Sequence, residues 1–266
     1  MHISLQPTFY NQYSKPAFTS CMRSYLNEHT NSLTGTQVYT TTSLFRNDLD
    51  FENLANYITK NFAEKDKVNI KCLAGSDGSE AYSMAISLME KTSESEKQKY
   101  FPILSLDRDE TIINSAKEGR INLCRADEIK AKQEAKSGKE YFINKEEKVH
   151  INNDLLDKDL YKSYEVIPEL REKVKFQKGD LLKEMAELKD DGNSIIMCRN
   201  VMPYLHPTQV SKIAYYANEN LKPNSLFVIG DFDRNTQIEK YLYYYGFSEV
   251  QPNVFKKNPK AYSLYT

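Results

Sequence analysis

Hydrophobic positions along this chain follow two periods, and where each holds predicts the elements. Phe51, Leu54, Ile58 and Phe62 recur at helical intervals, which predicts an amphipathic docking helix over residues 50 to 63. Val68-Asn69-Ile70-Lys71-Cys72-Leu73-Ala74 alternates as a strand does and is closed by Gly75-Ser76-Asp77-Gly78-Ser79-Glu80. An apolar helix carrying Tyr82, Met84, Ala85, Ile86, Leu88 and Met89 follows. Phe101-Pro102-Ile103-Leu104-Ser105-Leu106-Asp107 reads as a second strand, with a helix over residues 109 to 117 behind it. Val174-Lys175-Phe176-Gln177-Lys178 is the third strand, ended by Gly179-Asp180-Leu181-Leu182.

The fourth strand is the most telling. Ser194-Ile195-Ile196-Met197-Cys198 is a continuous apolar run, as in a strand buried on both faces of a parallel sheet, and it stops on Arg199 and Asn200. A helix over residues 208 to 221 follows, with Val210, Ile213, Ala214, Ala217 and Leu221 on one face and Pro207 near its start. Pro223-Asn224 is a turn and residues 225 to 230 a fifth strand; late β pieces around Gly246-Phe247 and over residues 261 to 265 suit an antiparallel hairpin. Strands separated by helices predict an open, doubly wound α/β sheet.

Two regions break this rhythm. In residues 1 to 37, Tyr10, Tyr13, Phe18, Met22 and Tyr25 are spaced three to five apart, which suggests a short helical segment. Residues 119 to 172 are dense in charge, as in Lys130-Ala131-Lys132-Gln133-Glu134-Ala135-Lys136 and Asn144-Lys145-Glu146-Glu147-Lys148, with short strand-like pieces at Tyr141-Phe142-Ile143 and Val149-His150-Ile151. They read as an insertion, a small β-hairpin subdomain with a solvated surface where a partner could be read. His150 is structural or exposed, since no acid or nucleophile pairs with it in the sequence.

Composition narrows the classes. Lys plus Arg number 36 against 37 for Asp plus Glu, so no bulk electrostatic attraction to nucleic acid is expected. Cys21, Cys72, Cys124 and Cys198 lack the paired spacing of a zinc site or a disulfide framework, which suits a reducing cytoplasm. No apolar run approaches the ~20 residues of a membrane helix, and no basic-then-apolar leader opens the chain, so neither membrane insertion nor processing is expected. The oligomeric state is not legible.

Candidate chemistry collects at strand ends. Arg199 and Asn200 fall at the carboxyl end of strand four, where open α/β sheets bind ligands. The glycine turn after strand one offers free N–H groups at a helix start, although G-x-x-G is not the full dinucleotide fingerprint and is also what a tight turn needs. Asp107, at the tip of strand two, is placed either to accept from ribose hydroxyls or to cap the next helix.

Four motifs then carry a resemblance. Thr42-Ser43-Leu44-Phe45-Arg46-Asn47, Ser76-Asp77-Gly78-Ser79-Glu80-Ala81-Tyr82-Ser83, Asp107-Arg108-Asp109 and Cys198-Arg199-Asn200-Val201-Met202-Pro203-Tyr204-Leu205 resemble, in order, those of the S-adenosylmethionine-dependent chemoreceptor glutamate O-methyltransferases of the CheR type. The last is highly specific, and the match runs from about residue 38 to the C-terminus. The resemblance implies a Rossmann-like class I methyltransferase sheet over residues 38 to 266, a short helical N-terminal segment over 1 to 37, and a β-subdomain inserted at 119 to 172. It implies S-adenosyl-L-methionine as cofactor, no metal, and a protein substrate carrying glutamate carboxylates, such as a chemoreceptor. Residue by residue, Thr40, Thr42 and Arg46 would grip the methionine end, Glu80 its amino group, Asp107 the ribose, and Asp180 with Leu181 the adenine. Arg199 and Asn200 would line the methyl-transfer site, with Tyr204 over the sulfonium and the incoming carboxylate.

Departures are local. Where the family reads S-T-G-E-E-P-Y-S, Asp77 replaces a threonine, Ser79 an acid and Ala81 a proline, so Asp77 brings an extra carboxylate towards the cofactor's own. Asp180 replaces a frequent asparagine, Pro203 an aliphatic residue, and the N-terminal helical domain, whose basic residues help receive the receptor, is shorter. The chemistry implied is in-line displacement by a carboxylate that is already ionised at neutral pH, so no general base is required. Three readings follow: a carboxyl O-methyltransferase acting on protein, a methyltransferase for another acceptor, and a non-catalytic cofactor-binding regulatory module.

Overall fold

The computed structural model describes residues 23–30, 37–145 and 161–259. Its first elements, β1 (Arg23–Thr30) and β2 (Gln37–Thr42), pair antiparallel with Tyr25 opposite Thr40. Tyr25 therefore lies in a strand and not in a helix: the ladder to the β-branched run of β2 overrides the helical spacing. The rest of the expected N-terminal helical segment lies outside the described residues.

Helix α1 (Phe51–Asn61) buries Phe51, Leu54, Ala55 and Ile58, the face its spacing predicts, and is capped by Asp50, whose Oδ1 accepts from the Asn53 N–H at 2.8 Å. Next come β3 (Asn69–Leu73), α2 (Ser79–Met89), α3 (Glu94–Tyr100), β4 (Ile103–Asp107) and α4 (Glu110–Lys117). Helix α3 was hidden in the sequence because it is charged and anchors only Tyr100 in the interior. Its start shows in the Ser93/Glu96 capping box.

Residues 119 to 172 hold β5 (Arg120–Cys124), α5 (Arg125–Glu134), β6 (Phe142–Asn144), β7 (Tyr161–Val166) and α6 (Pro168–Arg171). The strands form a separate antiparallel sheet in the order β5-β7-β6, one strand more than a hairpin. Val149-His150-Ile151 lies outside the described residues.

The remaining elements are β8 (Val174–Lys178), α7 (Leu181–Glu187), β9 (Ser194–Met197), α8 (Pro207–Asn220), β10 (Leu226–Val228), α9 (Asp231–Arg234), α10 (Ile238–Tyr244), β11 (Phe247–Gln251) and β12 (Val254–Lys257). The main sheet has the order β11-β12-β10-β9-β3-β4-β8, with β10, β9, β3, β4 and β8 parallel and β12 and β11 antiparallel at the edge. The late hairpin is thus present, but its second strand is Val254–Lys257; residues 261 to 265 lie outside the described ones.

The apolar run of β9 now has its reason. Ile195 and Met197 pack on the α1 and α2 side, while Ile196 and Cys198 pack on the α7, α8 and α10 side, so every position is interior. Chain order reverses between β3 and β9, the switch point at which open α/β sheets form their crevice. Among the described residues no helix is long and apolar enough to cross a membrane, and Cys72, Cys124 and Cys198 are buried free thiols.

Central position makes β9 sensitive. Ile195→Ala removes a fully buried side chain and is expected to lower stability by about 2–5 kcal/mol in urea unfolding.

Candidate active site

The turn after β3 is built from backbone that few residues adopt: Ala74, Ser76 and Gly78 have φ of 59°, 51° and 88°. A side chain at Gly75 would stand 2.2 Å from Ser105 Oγ on the neighbouring strand. Asp107, at the tip of β4, holds this turn. Its Oδ2 accepts from the Ser76 N–H and its Oδ1 from the Asp109 N–H, both at 3.0 Å. Burial raises its pKa, against the pull of those backbone N–H groups. Asp107 is therefore not the cap of α4; Asp109 is, accepting from Thr111 and Ile112.

Asp77 and Ser79, two departures from the family pattern, meet each other. Asp77 Oδ1 accepts from the Ser79 N–H at 3.0 Å and from Ser79 Oγ at 2.5 Å. The extra carboxylate is thus engaged at the start of α2, which favours negative charge.

The crevice floor is a buried charge network. Arg199, 1% exposed, donates from Nη1 to Glu80 Oε2 at 2.7 Å and from Nη2 to Asp48 Oδ1, and stacks over Phe51 with 5.2 Å to the ring centroid. Asp48 Oδ2 accepts from Asn200 Nδ2 at 2.7 Å and from the Asp231 N–H at 3.3 Å, and lies 4.0 Å from Arg46 Nε. Arg46 in turn covers the Phe232 ring. Burial works against every charge here, and the partners decide the outcome. Asp48 ends below its ordinary value because Arg199, Asn200 and Arg46 outweigh its burial, whereas Glu80 ends raised because burial prevails. Arg199 is raised, burial being outweighed by Glu80 and Asp48; Arg46 is lowered by burial.

The loop that presents Arg46 and Asp48 is anchored on both flanks. The Leu44 N–H donates to Asp127 Oδ1 on α5, the Phe45 N–H donates to Ser83 Oγ on α2, and Lys130 donates to the Phe45 carbonyl. Asn253 Nδ2 donates to the Asp48 carbonyl at 2.7 Å.

Beyond β9 the chain turns through Asn200, at φ 57°, and a second carboxylate holds that turn. Asp233, fully buried, accepts from the N–H groups of Asn200 at 2.6 Å, Gly230 at 2.7 Å and Met202 at 2.9 Å. Gly230 must lack a side chain, since a Cβ would lie 2.3 Å from Asn200 Oδ1. The following 3-10 turn, Met202–Tyr204, leaves Tyr204 36% exposed.

The structure brings Arg46, Glu80, Arg199 and Asn200 into one network and sets Asp107 beside the glycine turn. Asp180 and Leu181 lie apart from the network at the start of α7; Asp180 accepts from the Lys183 N–H and pairs with Arg108 at 3.5 Å. Thr42 is buried at the end of β2, and Thr40 lies on that strand. Sequence reasoning missed Asp48 and Asp233. An acid two residues after Arg46 was the available signal for the first; the second is joined to its loop across 33 positions and had none. Arg199 Nε, Asn200 Oδ1 and Ser76 Oγ are among the seven buried side-chain polar atoms that lack a hydrogen-bond partner among the described residues. Among the same residues no group of three His, Cys, Asp or Glu is placed to hold a metal ion.

The family described as "CheR methyltransferase, SAM binding domain" matches residues 40–247. A chemotaxis protein methyltransferase of Listeria innocua serovar 6a is 28% identical over 164 residues, 61% of this chain and 53% of that protein. The chain thus spans about half the length of the curated relative it matches. Among solved structures, a putative S-adenosyl-L-methionine-dependent methyltransferase from Methanococcus maripaludis has a TM-score of 0.40 at 13% identity, covering 80% of this chain and 87% of that one. Magnesium protoporphyrin IX methyltransferase from Synechocystis has a TM-score of 0.36 at 11% identity, covering 77% and 74%.

Two outcomes follow from the carboxylates. Asp233→Ala strands three buried N–H donors and is expected to lower stability by about 3 kcal/mol or more in urea unfolding. Asp48, with its folded pKa depressed, stabilises fully above the ordinary value of 3.8 and loses that contribution as the pH falls through the folded value. The stability gap between wild type and Asp48→Asn is therefore expected to stay level from neutral pH down to 3.8 and to close as the pH falls from there through the folded value, read by unfolding curves across pH.

Proposed function

This chain belongs to the CheR methyltransferase family through its SAM-binding domain, and from that premise we propose that it transfers a methyl group from S-adenosyl-L-methionine to a glutamate carboxylate on a protein. A chemoreceptor is the acceptor class the family points to, and the cytoplasm the place of reaction. The site residues fit the cofactor's amino-acid end. Glu80 is an acceptor for an ammonium, Arg46 and Arg199 are partners for a carboxylate, and the unpartnered Arg199 Nε and Asn200 Oδ1 offer a donor and an acceptor beside them. Asp107 would take the ribose, Asp180 with Leu181 the adenine, and Thr40 and Thr42 the approach from β2.

Bound there, the cofactor supplies an activated methyl group on a positively charged sulfur. The chain's own work is to hold, orient and keep water out. Arg199 and Glu80 are fixed by each other, and Phe51 lies under the guanidinium, so little rearrangement accompanies the reaction. A glutamate acceptor, with a pKa near ~4.3, is ionised at neutral pH and needs no base. His206, the one histidine whose side chain is described, instead caps α8 through Nδ1. Tyr204 closes the 3-10 turn that follows Arg199 and Asn200 and is open to an incoming side chain.

The inserted sheet supplies a second surface for a protein acceptor. A cavity of about 300 Å³ between α5, β6 and β7 is lined by Ala131, Tyr141, Ile143 and Tyr164, with Lys132 and Lys162 also in its wall.

The single observation that carries this reading is the buried, charge-balanced set of Arg46, Asp48, Glu80 and Arg199 at the ends of the central strands, with half-exposed Tyr204 beside it. Incubation with methyl-labelled cofactor and receptor cytoplasmic fragments is expected to give label that leaves as methanol in mild base. Label that resists base would assign another acceptor. Tyr204→Phe is expected to lower kcat/KM by about tenfold while leaving cofactor affinity unchanged.

A further inference from the structure

Asp48 lies between the two guanidinium groups of the crevice. One carboxylate oxygen takes Arg199, and the other takes the Asn200 amide at 2.7 Å and faces Arg46 Nε at 4.0 Å. The side chain is 7% exposed, so this is an interior placement. Glu80 alone would neutralise Arg199; the second carboxylate occupies the side of the guanidinium that leads to Arg46 and Asn200. Both guanidinium groups of the crevice are thereby met by a carboxylate belonging to the chain itself.

The amino-acid end of the cofactor brings a carboxylate of the same charge and nearly the same shape. Two such groups cannot share one pair of guanidinium groups at close range without strong repulsion. We infer that Asp48 is an internal competitor for Arg46 and Arg199, which the cofactor's carboxylate must displace, and that it sets how tightly the crevice holds ligands ending in an amino acid. This rests on the reading of Arg46, Glu80 and Arg199 as the residues that receive that end. The exchange asks only for rotation of the Asp48 side chain, because its backbone carbonyl is held by Asn253 and the preceding loop by Asp127 and Ser83.

The test compares two nucleosides on the full chain. S-adenosylhomocysteine carries the amino-acid end; 5′-methylthioadenosine has the same adenosine and sulfur without it. Calorimetric titration of wild type, Asp48→Asn and Asp48→Ala is expected to show S-adenosylhomocysteine tightened by about tenfold in both variants, with methylthioadenosine held within about twofold. Where Asp48→Ala does not fold, Asp48→Asn, which keeps size and polarity, carries the comparison. Equal effects on the two nucleosides would make Asp48 a structural brace and overturn the proposal, as would unchanged or weakened S-adenosylhomocysteine binding. If wild type and variants alike bind neither nucleoside, the crevice reading itself fails and the competition falls with it.

Discussion

The molecule depends on one buried guanidinium. Arg199 leaves the central strand β9 and is enclosed between Glu80, from the helix after β3, and Asp48, from the loop before α1. A cation removed from water in this way is tolerable only with close, directional partners, so three separate parts of the chain must arrive together for any of them to be stable. Phe51 under the guanidinium and Phe232 under Arg46 complete the enclosure with ring faces. The charged centre and the apolar core are for that reason continuous: α1 buries its hydrophobic stripe and delivers Asp48 in the same motion.

Around that centre, acids serve the backbone. Asp107 holds the turn after β3, Asp109 starts α4, Asp233 gathers three N–H groups at the turn after β9, and Asp77 serves the start of α2. Loops at strand ends are poor in self-contained hydrogen bonds, and a buried carboxylate with two oxygens can satisfy several donors at once. The arrangement keeps unusual backbone, such as the positive φ of Ser76 and Asn200, in place.

Legibility in the sequence followed contact range. The strand over residues 174 to 178 and the helices α1 and α8 were readable because apolar spacing within one window decides them. So was the carboxyl end of β9, where an apolar run stops on Arg199. Tyr25 misled because its spacing fits a helix while its partner strand lies outside any local window. Short or charged helices such as α3 and α10 bury too few side chains to leave a period. Within the buried network, Arg46, Glu80, Arg199 and Asn200 stand out in the sequence and Asp48 does not. Its importance comes chiefly from Arg199, 151 positions away, and nearby Arg46 is the one local hint.

The attachments of the loop before α1 reach past the crevice. Asp127 and Lys130, both on α5 of the inserted unit, grasp the backbone at Leu44 and Phe45, two residues and one residue before Arg46. The inserted antiparallel sheet is therefore riveted to the floor of the crevice and does not hang from a flexible stalk. It acts as a ruler: the reach from that sheet to the crevice is set by these two attachments, and the sheet and the loop shift together or not at all.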